Sequence, residues 1–170
     1  MKIALIVVSL KETKKAATKV GAIFKMARLG ELRTYIVINQ IGTEGYARGV
    51  NKGLEMAKSF KPDIYIVANP DLEKIKISKK ILLEGANKFD LWGYAFKQNN
   101  ETFYGGRVNP IRLSGSLNTV PGEVDFLSGS LVCFNRKTLA KIGLWNEKYH
   151  MYYEDVEYCF RAREKGLRVG

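Results

Sequence analysis

Three short, unbroken runs of apolar and mostly β-branched residues, at 3–8, 35–38 and 64–68, are separated by stretches in which apolar residues recur at helical spacing. This alternation constrains the fold more than any other feature. A run that is apolar at every position suits a strand covered on both faces, and helices between such strands lead to a parallel sheet. After the first run, Ala16, Val20, Ile23, Phe24 and Ala27 recur at helical spacing with lysines between them, and Gly30 offers a stop. A turn containing Gly42 and Gly45 leads into a helix with Ala47, Val50, Leu54 and Ala57 on one side, ended by Pro62 and Asp63. Ser78 is placed to cap a short helix carrying Ile81 and Leu82, and residues 89–96 read as a fourth strand.

From 98 to 123 the chain is rich in Asn, Gly, Ser and Pro, with short strand-like pieces and no helical pattern, which is long for a connection. Residues 124–134 return to strand character. Arg136–Ile142 and 155–165 read as helices, and 167–169 look like the start of a strand. There is no internal repeat and no linker. The 170 residues therefore read as one α/β domain, a mostly parallel central sheet with helices on both faces.

Charge is distributed unevenly. The chain has 28 Lys and Arg against 17 Asp and Glu, a net +11. Within the first thirty residues, Lys2, Lys11, Lys14, Lys15, Lys19, Lys25 and Arg28 face Glu12 alone. Such a segment could meet anionic lipid, nucleic acid or a phosphorylated small molecule, or could be a solvated helix face. Because the excess gathers on one helix with no exposed aromatic stacking series, nucleic acid is not expected as a partner. The run at 3–8 is too short to cross a bilayer and lacks the features of a signal peptide. Only two cysteines, Cys133 and Cys159, are present, neither with a CxxC neighbour; they read as buried small hydrophobes and fit a reducing compartment. A cytoplasmic protein is expected, with peripheral membrane contact through the basic first helix as a further expectation resting on its charge.

In open α/β sheets ligands sit at the carboxyl ends of the strands, near the point where strand order reverses. Ser9 follows the first strand, and Asn69-Pro70-Asp71 makes a sharp turn after the third. Asp71 is a lone carboxylate of the kind Mg²⁺ or Mn²⁺ uses when substrate phosphates complete its shell, although the same tripeptide also makes an ordinary Asx-Pro turn. Glu154, Asp155 and Glu157 open the last helix, where acidic residues serve either as caps or as chemistry. His150, Met151, Tyr152 and Tyr153 just before them are expected to wall the pair, and a partly desolvated carboxylate there could act as a general base. His150, the single histidine, reads equally as a packed or edge residue. Gly129, inside a strand-like run, implies a bulge, a ligand's close approach or a packing contact. Residues 42–53 contain several glycines but neither a GxGxxG nor a Walker pattern, so neither a dinucleotide fold nor a P-loop is supported.

Taken together, these pieces resemble a known family. Gly45-Tyr46-Ala47-Arg48-Gly49-Val50-Asn51-Lys52-Gly53 is similar to a glycine-rich stretch of family 2 glycosyltransferases, especially their rhamnosyltransferase-like branch, and Asn69-Pro70-Asp71 resembles that branch's version of the metal-binding DxD motif. The run from 124 to 169 carries the strongest likeness: Val124-Asp125-Phe126-Leu127-Ser128-Gly129-Ser130, then Gly143-Leu144-Trp145-Asn146-Glu147, Met151-Tyr152-Tyr153-Glu154-Asp155-Val156-Glu157, and Arg161 through Gly166.

The resemblance implies a GT-A fold and inverting transfer of a sugar from a nucleotide-diphosphate donor to an acceptor hydroxyl on a glycan, lipid-linked or protein acceptor. It implies Asp71 as ligand of a divalent metal, Mn²⁺ or Mg²⁺, with Asn69 on the donor side. Asp155 is the implied base and Glu154 its neighbour that orients base or substrate. Gly129 and Ser130 would lie under the transferred sugar or acceptor. Ser9, Asn39 and Arg48 would line the nucleotide pocket, with Asn51 as a further substrate-binding position of the glycine-rich stretch. Two differences accompany the likeness. Ile38-Asn39-Gln40 and Ser9-Leu10 stand where the family has an Asp-Asn-x-Ser segment and a Tyr-Asn pair. The sequence stops at Gly170, where the family continues with a further strand and often a metal-binding histidine. A domain short or truncated at its C-terminus is therefore expected. A catalytically impaired protein that binds a nucleotide sugar or glycan without turnover is the alternative.

Overall fold

In the computed structural model, which describes residues 1–40, 43–72, 75–98, 100–109, 111 and 114–170, the first apolar run becomes β1 (Lys2–Leu10). Ile3 through Val7 have no exposed surface, as a strand covered on both faces requires. β1 pairs in parallel with β2 (Glu31–Asn39) on one side and with β3 (Ile64–Ala68) on the other. The chain thus leaves β1 first to one side and then to the other, which creates a switch point at the carboxyl ends of β1 and β3.

The fourth strand is shorter than its sequence suggests. β4 is Leu91–Gly93, because the Phe89 N–H still caps the preceding helix at Gly85 O. The 98–123 region is built largely from hairpins, β5 (Phe96–Gln98) with β6 (Glu101–Phe103) and β7 (Gly106–Asn109) with β8 (Ser114–Leu117). Of the apolar stretch 124–134, only its end joins the central sheet, as β9 (Leu131–Asn135). β9 runs antiparallel to both β3 and β4, which gives the order β2-β1-β3-β9-β4 with β9 the single reversed strand. Val169 makes one parallel bridge to Leu91 where a further strand start was expected.

Alternate residues of β1 feed two cores. Ile3, Leu5 and Val7 pack with α1 (Lys14–Met26) and α3 (Lys79–Lys88) on one face. The helix register of α1 buries Ala17, Val20, Gly21 and Phe24, and Ser78 caps α3 by accepting the Ile81 N–H. Ala4, Ile6 and Val8 pack on the other face with α2 (Tyr46–Ala57), α4 (Arg136–Ile142) and α5 (Glu154–Glu164). α2 lies very close to the sheet. A Cβ on Gly49 would collide with Val8, and one on Gly53 with Ile6, so the glycines of this helix serve packing. Gly42, expected in the turn ahead of α2, lies outside the described residues. Among the described residues no helix is long and apolar enough to cross a membrane.

Candidate active site

The site is assembled where the start of α5, the turn before β9, the end of β3 and the first turn of α2 meet. Tyr152 and Tyr153 both adopt left-handed backbone conformations, with φ of 69° and 67°, rare for residues with a side chain. This sharp turn starts α5 with Glu154 and Asp155 packed against the protein. The Asp155 carboxylate accepts two backbone N–H bonds, from Gly129 to Oδ2 at 2.7 Å and from Val156 to Oδ1 at 2.8 Å. Gly129 lies in the turn that leads into β9. A Cβ there would sit 2.9 Å from Asp155 Oδ2, so it is the carboxylate's close approach that requires glycine.

One residue further on, the Ser130 carbonyl accepts the Asn69 N–H at 2.9 Å, which ties the end of β3 to the start of β9. The Ser130 hydroxyl is hydrogen-bonded to Ser128 Oγ at 2.9 Å. Asp71, two residues past Asn69, is exposed and makes no hydrogen bond or ion pair among the described residues.

Tyr46, in the first turn of α2, reaches into this group and donates its hydroxyl to the Gly129 carbonyl at 3.5 Å. Burial pushes the Tyr46 phenol far above its usual range, and the charges of Glu154, Asp155 and Asp71 push it further the same way. Glu154 is buried, and its Oε2 has no hydrogen-bond partner. Burial raises its pKa above the ordinary glutamate value, its own backbone N–H partly offsets the rise, and the charge of Asp155 adds to it.

The aromatic wall expected from 150–153 does not form. Met151, Tyr152 and Tyr153 are 57%, 75% and 71% exposed, turned outward by the left-handed bend. His150 contributes only its carbonyl, which accepts the Tyr46 N–H at 3.0 Å. Tyr46 is the aromatic residue that reaches the turn holding Asp155. Its position in the glycine-rich stretch was the available signal, but sequence proximity favoured the tyrosines beside Glu154.

The residues expected around a nucleotide gather at the ends of β1 and β2. Leu10 and Asn39 are paired there, and Arg48 projects from the first turn of α2. Most of their polar groups are already engaged. The Ser9 hydroxyl bonds Thr13 Oγ1 at 2.8 Å and Leu10 O at 3.0 Å. Asn39 donates to Gly45 O at 2.9 Å and keeps a buried Oδ1 without a partner. Arg48 is exposed, 3.8 Å from Glu44. Asn51 is buried and brackets another loop: Nδ2 donates to Trp145 O at 3.0 Å and Glu147 Oε1 at 2.8 Å, while Oδ1 accepts the Trp145 N–H at 2.9 Å.

Among the described residues there is no cluster of three or more His, Cys, Asp or Glu side chains able to hold a metal. Asp71 alone fits a different arrangement, a hard cation shared between one unengaged carboxylate and the phosphates of a ligand.

No family model matches the chain. The low-salt glycan biosynthesis hexosyltransferase Agl10 of Haloferax volcanii is 27% identical over 146 residues, which cover 78% of this chain and 48% of that protein. The chain thus spans about half the length of this curated relative. Among solved structures, GalNAc-T7 with UDP, GalNAc and Mn²⁺ superposes with a TM-score of 0.63 at 10% identity, covering 99% of this chain and 42% of the other. The catalytic domain of Drosophila β1,4-galactosyltransferase 7 with xylobiose gives 0.56 at 16% identity, covering 99% and 63%. A variant of that enzyme with manganese, UDP-Gal and xylobiose gives 0.56 at 14%, again over 99% and 63%. The chain has a GT-A-like fold, a mixed sheet flanked by helices.

Proposed function

We propose that this domain is an inverting glycosyltransferase of the family 2 hexosyltransferase kind, moving a sugar from a nucleotide-diphosphate donor to an acceptor hydroxyl in glycan biosynthesis. The observation that carries the reading is the Asp155 carboxylate, held at the start of α5 by the backbone N–H groups of Gly129 and Val156 beside the end of β3. The sequence likeness to Agl10 supports it independently.

In this reading Asp155 takes the proton of the acceptor hydroxyl as that oxygen bonds to the anomeric carbon. The bond from that carbon to the diphosphate breaks, its electron pair leaves with the diphosphate oxygen, and attack from the opposite side inverts the centre. Two backbone N–H donors hold the Asp155 carboxylate in one orientation, which a positioned base requires. Glu154 packs beside Asp155 and fixes the start of α5. Gly129, Ser130 and Asn69 form the floor under the reacting sugar. Asp71 would hold Mn²⁺ or Mg²⁺ together with the donor's diphosphate, which supplies charge neutralisation for the leaving group. Asn39 and Arg48 remain on the nucleotide side, whereas Ser9 and Asn51 act as anchors of the framework.

A second reading has the protein bind a nucleotide sugar or glycan without turnover. A panel of nucleotide sugars, with and without Mn²⁺, separates the two when thermal midpoint and nucleotide release are both recorded. Donor-dependent stabilisation with release, lowered about 10²–10⁴-fold by Asp155→Asn, is expected. Stabilisation without release selects the binding reading, and no stabilisation by any donor removes both.

A further inference from the structure

Of the 8 Phe, 9 Tyr and 2 Trp of this chain, only Tyr149, Tyr152 and Tyr153 are exposed, the others being buried or half-buried. All three fall within five positions, directly ahead of Glu154 and Asp155. Their side chains make no hydrogen bond, ring contact or cation contact among the described residues. The backbone beneath them is nevertheless fixed. The Tyr149 N–H bonds Asn146 O at 3.2 Å, His150 O accepts the Tyr46 N–H, and Tyr153 O accepts the Glu157 N–H at 2.9 Å. At the φ of Tyr152 and Tyr153, 69° and 67°, glycine is the residue free of steric cost. Two large rings stand there instead, and they return little burial and no bond to the fold. Strain kept without a structural return marks side chains used on something outside the protein.

What these rings meet follows from Asp155. A hydroxyl that gives its proton to this carboxylate must come within about 3 Å of it. The Cα atoms of Tyr153 and Tyr152 lie at most about 8 and 11 Å from that of Asp155, because each residue spans roughly 3.8 Å. The molecule that carries the reacting hydroxyl is thus within reach of both rings. Each ring offers an apolar face and, at its tip, a hydroxyl that donates and accepts. A pyranose has the matching surfaces, a face of C–H groups and a rim of hydroxyls. An alkyl chain matches the faces alone and leaves the tyrosine hydroxyls unused. We infer that Tyr152 and Tyr153 stack the sugar joined to the one whose hydroxyl faces Asp155, so that the domain extends a saccharide of two or more units. The two tyrosines determine acceptor specificity and take no part in the chemical step. The inference rests on the transferase reading and names how its acceptor is selected.

The probe is an immobilised array of hexose, 6-deoxyhexose and N-acetylhexosamine mono-, di- and trisaccharides, read with the labelled full chain and no donor. Particular di- or trisaccharides should be retained about tenfold or more tightly than their component monosaccharides. The double variant Tyr152→Leu, Tyr153→Leu should lose that margin, whereas Tyr152→Phe, Tyr153→Phe, which keeps the ring faces, should preserve most of it. Tyr152→Gly with Tyr153→Gly removes rings and strain together, so it should lose the binding while the thermal midpoint holds or rises. Retention of no saccharide, equal retention of mono- and disaccharides, or unchanged binding in the Leu variant would each overturn the inference. So would a marked fall in the midpoint of the Gly variant, which would make the rings part of the fold. A concentration-dependent dimer abolished by the Leu substitutions would assign the rings to a second copy of this chain and overturn it as well. Because saccharide binding is read without donor, its failure beside intact donor-dependent stabilisation condemns this assignment alone.

Discussion

The backbone N–H of Gly129 and the Oδ2 of Asp155 are 2.7 Å apart, so the turn before β9 sets the position of the carboxylate that opens α5. A methyl group at 129 would stand 2.9 Å from that oxygen and 3.3 Å from the Asp155 Cβ and Cγ, and the side chain would have to move. Gly129→Ala should therefore reduce turnover by about 10²-fold, the cost of displacing a reacting group by roughly 1 Å, while donor-dependent stabilisation persists. Nucleotide release measured beside the thermal midpoint checks this. Equal loss of folding and turnover would count against it.

Tyr46 reaches the turn before β9 that holds Asp155. Its hydroxyl bond to Gly129 O, at 3.5 Å, is long, so its direct contribution to folding is small. Tyr46→Phe should cost about 1 kcal/mol or less in stability. Turnover should fall further than that figure implies, because the hydroxyl braces the same turn that holds Asp155. Chemical denaturation beside steady-state rates tests the difference; a variant with unchanged rate would show that Gly129 needs no brace.

Elements whose determinants are local were readable in advance. α4 occupies the residues its pattern indicated, Ser78 caps α3, and β1 and β3 coincide with the β-branched runs. The reversal of β9 was not readable, because strand direction is decided by pairing with Ile64–Ala68, far away in the sequence. The apolar run at 124–134 yields a strand only at its end, since the turn at 128–130 is taken up in presenting Gly129 to Asp155. Within the site, the acidic positions stood out by spacing and motif. Tyr46 did not, because its approach to the Gly129 turn depends on packing α2 and α5 on the same face of the sheet.

Glu154 should leave a signature in stability against pH. Its folded pKa lies above that of the unfolded chain because burial disfavours the charged form. The folded state then holds its proton more tightly, so the contribution of Glu154 is most favourable at low pH and is lost as pH rises from about 4.5 through the folded value. Glu154→Gln carries no such dependence. The stability of the Gln variant relative to the native chain should rise across that window and level off above it. Glu44, held low mainly by its bond to Lys52, has the opposite slope but cancels in the comparison. Denaturation curves at several pH values read the difference directly, and a pH-independent gap between the two proteins would rule the assignment out.

Asn51 separates a framework role from a ligand role. Its side chain satisfies both the N–H and the carbonyl of Trp145, and Trp145 in turn stacks on Tyr158 at 4.7 Å and meets the Tyr46 ring edge-on at 6.2 Å. Asn51→Ala leaves two buried backbone groups without partners, each costing about 1–3 kcal/mol, so a loss of roughly 3 kcal/mol is expected. For a chain of this size that lowers the melting point by roughly 6–12 °C. Asn51→Asp keeps an acceptor for the Trp145 N–H but loses the Nδ2 donor and places a second carboxylate beside Glu147, so it should also destabilise. Below their transitions both variants should bind donor nearly as the native chain does, with Tyr46 and the α2 terminus still in place. If donor affinity instead drops tenfold or more while the melting point barely moves, the amide belongs to the ligand and not to the bracket around Trp145.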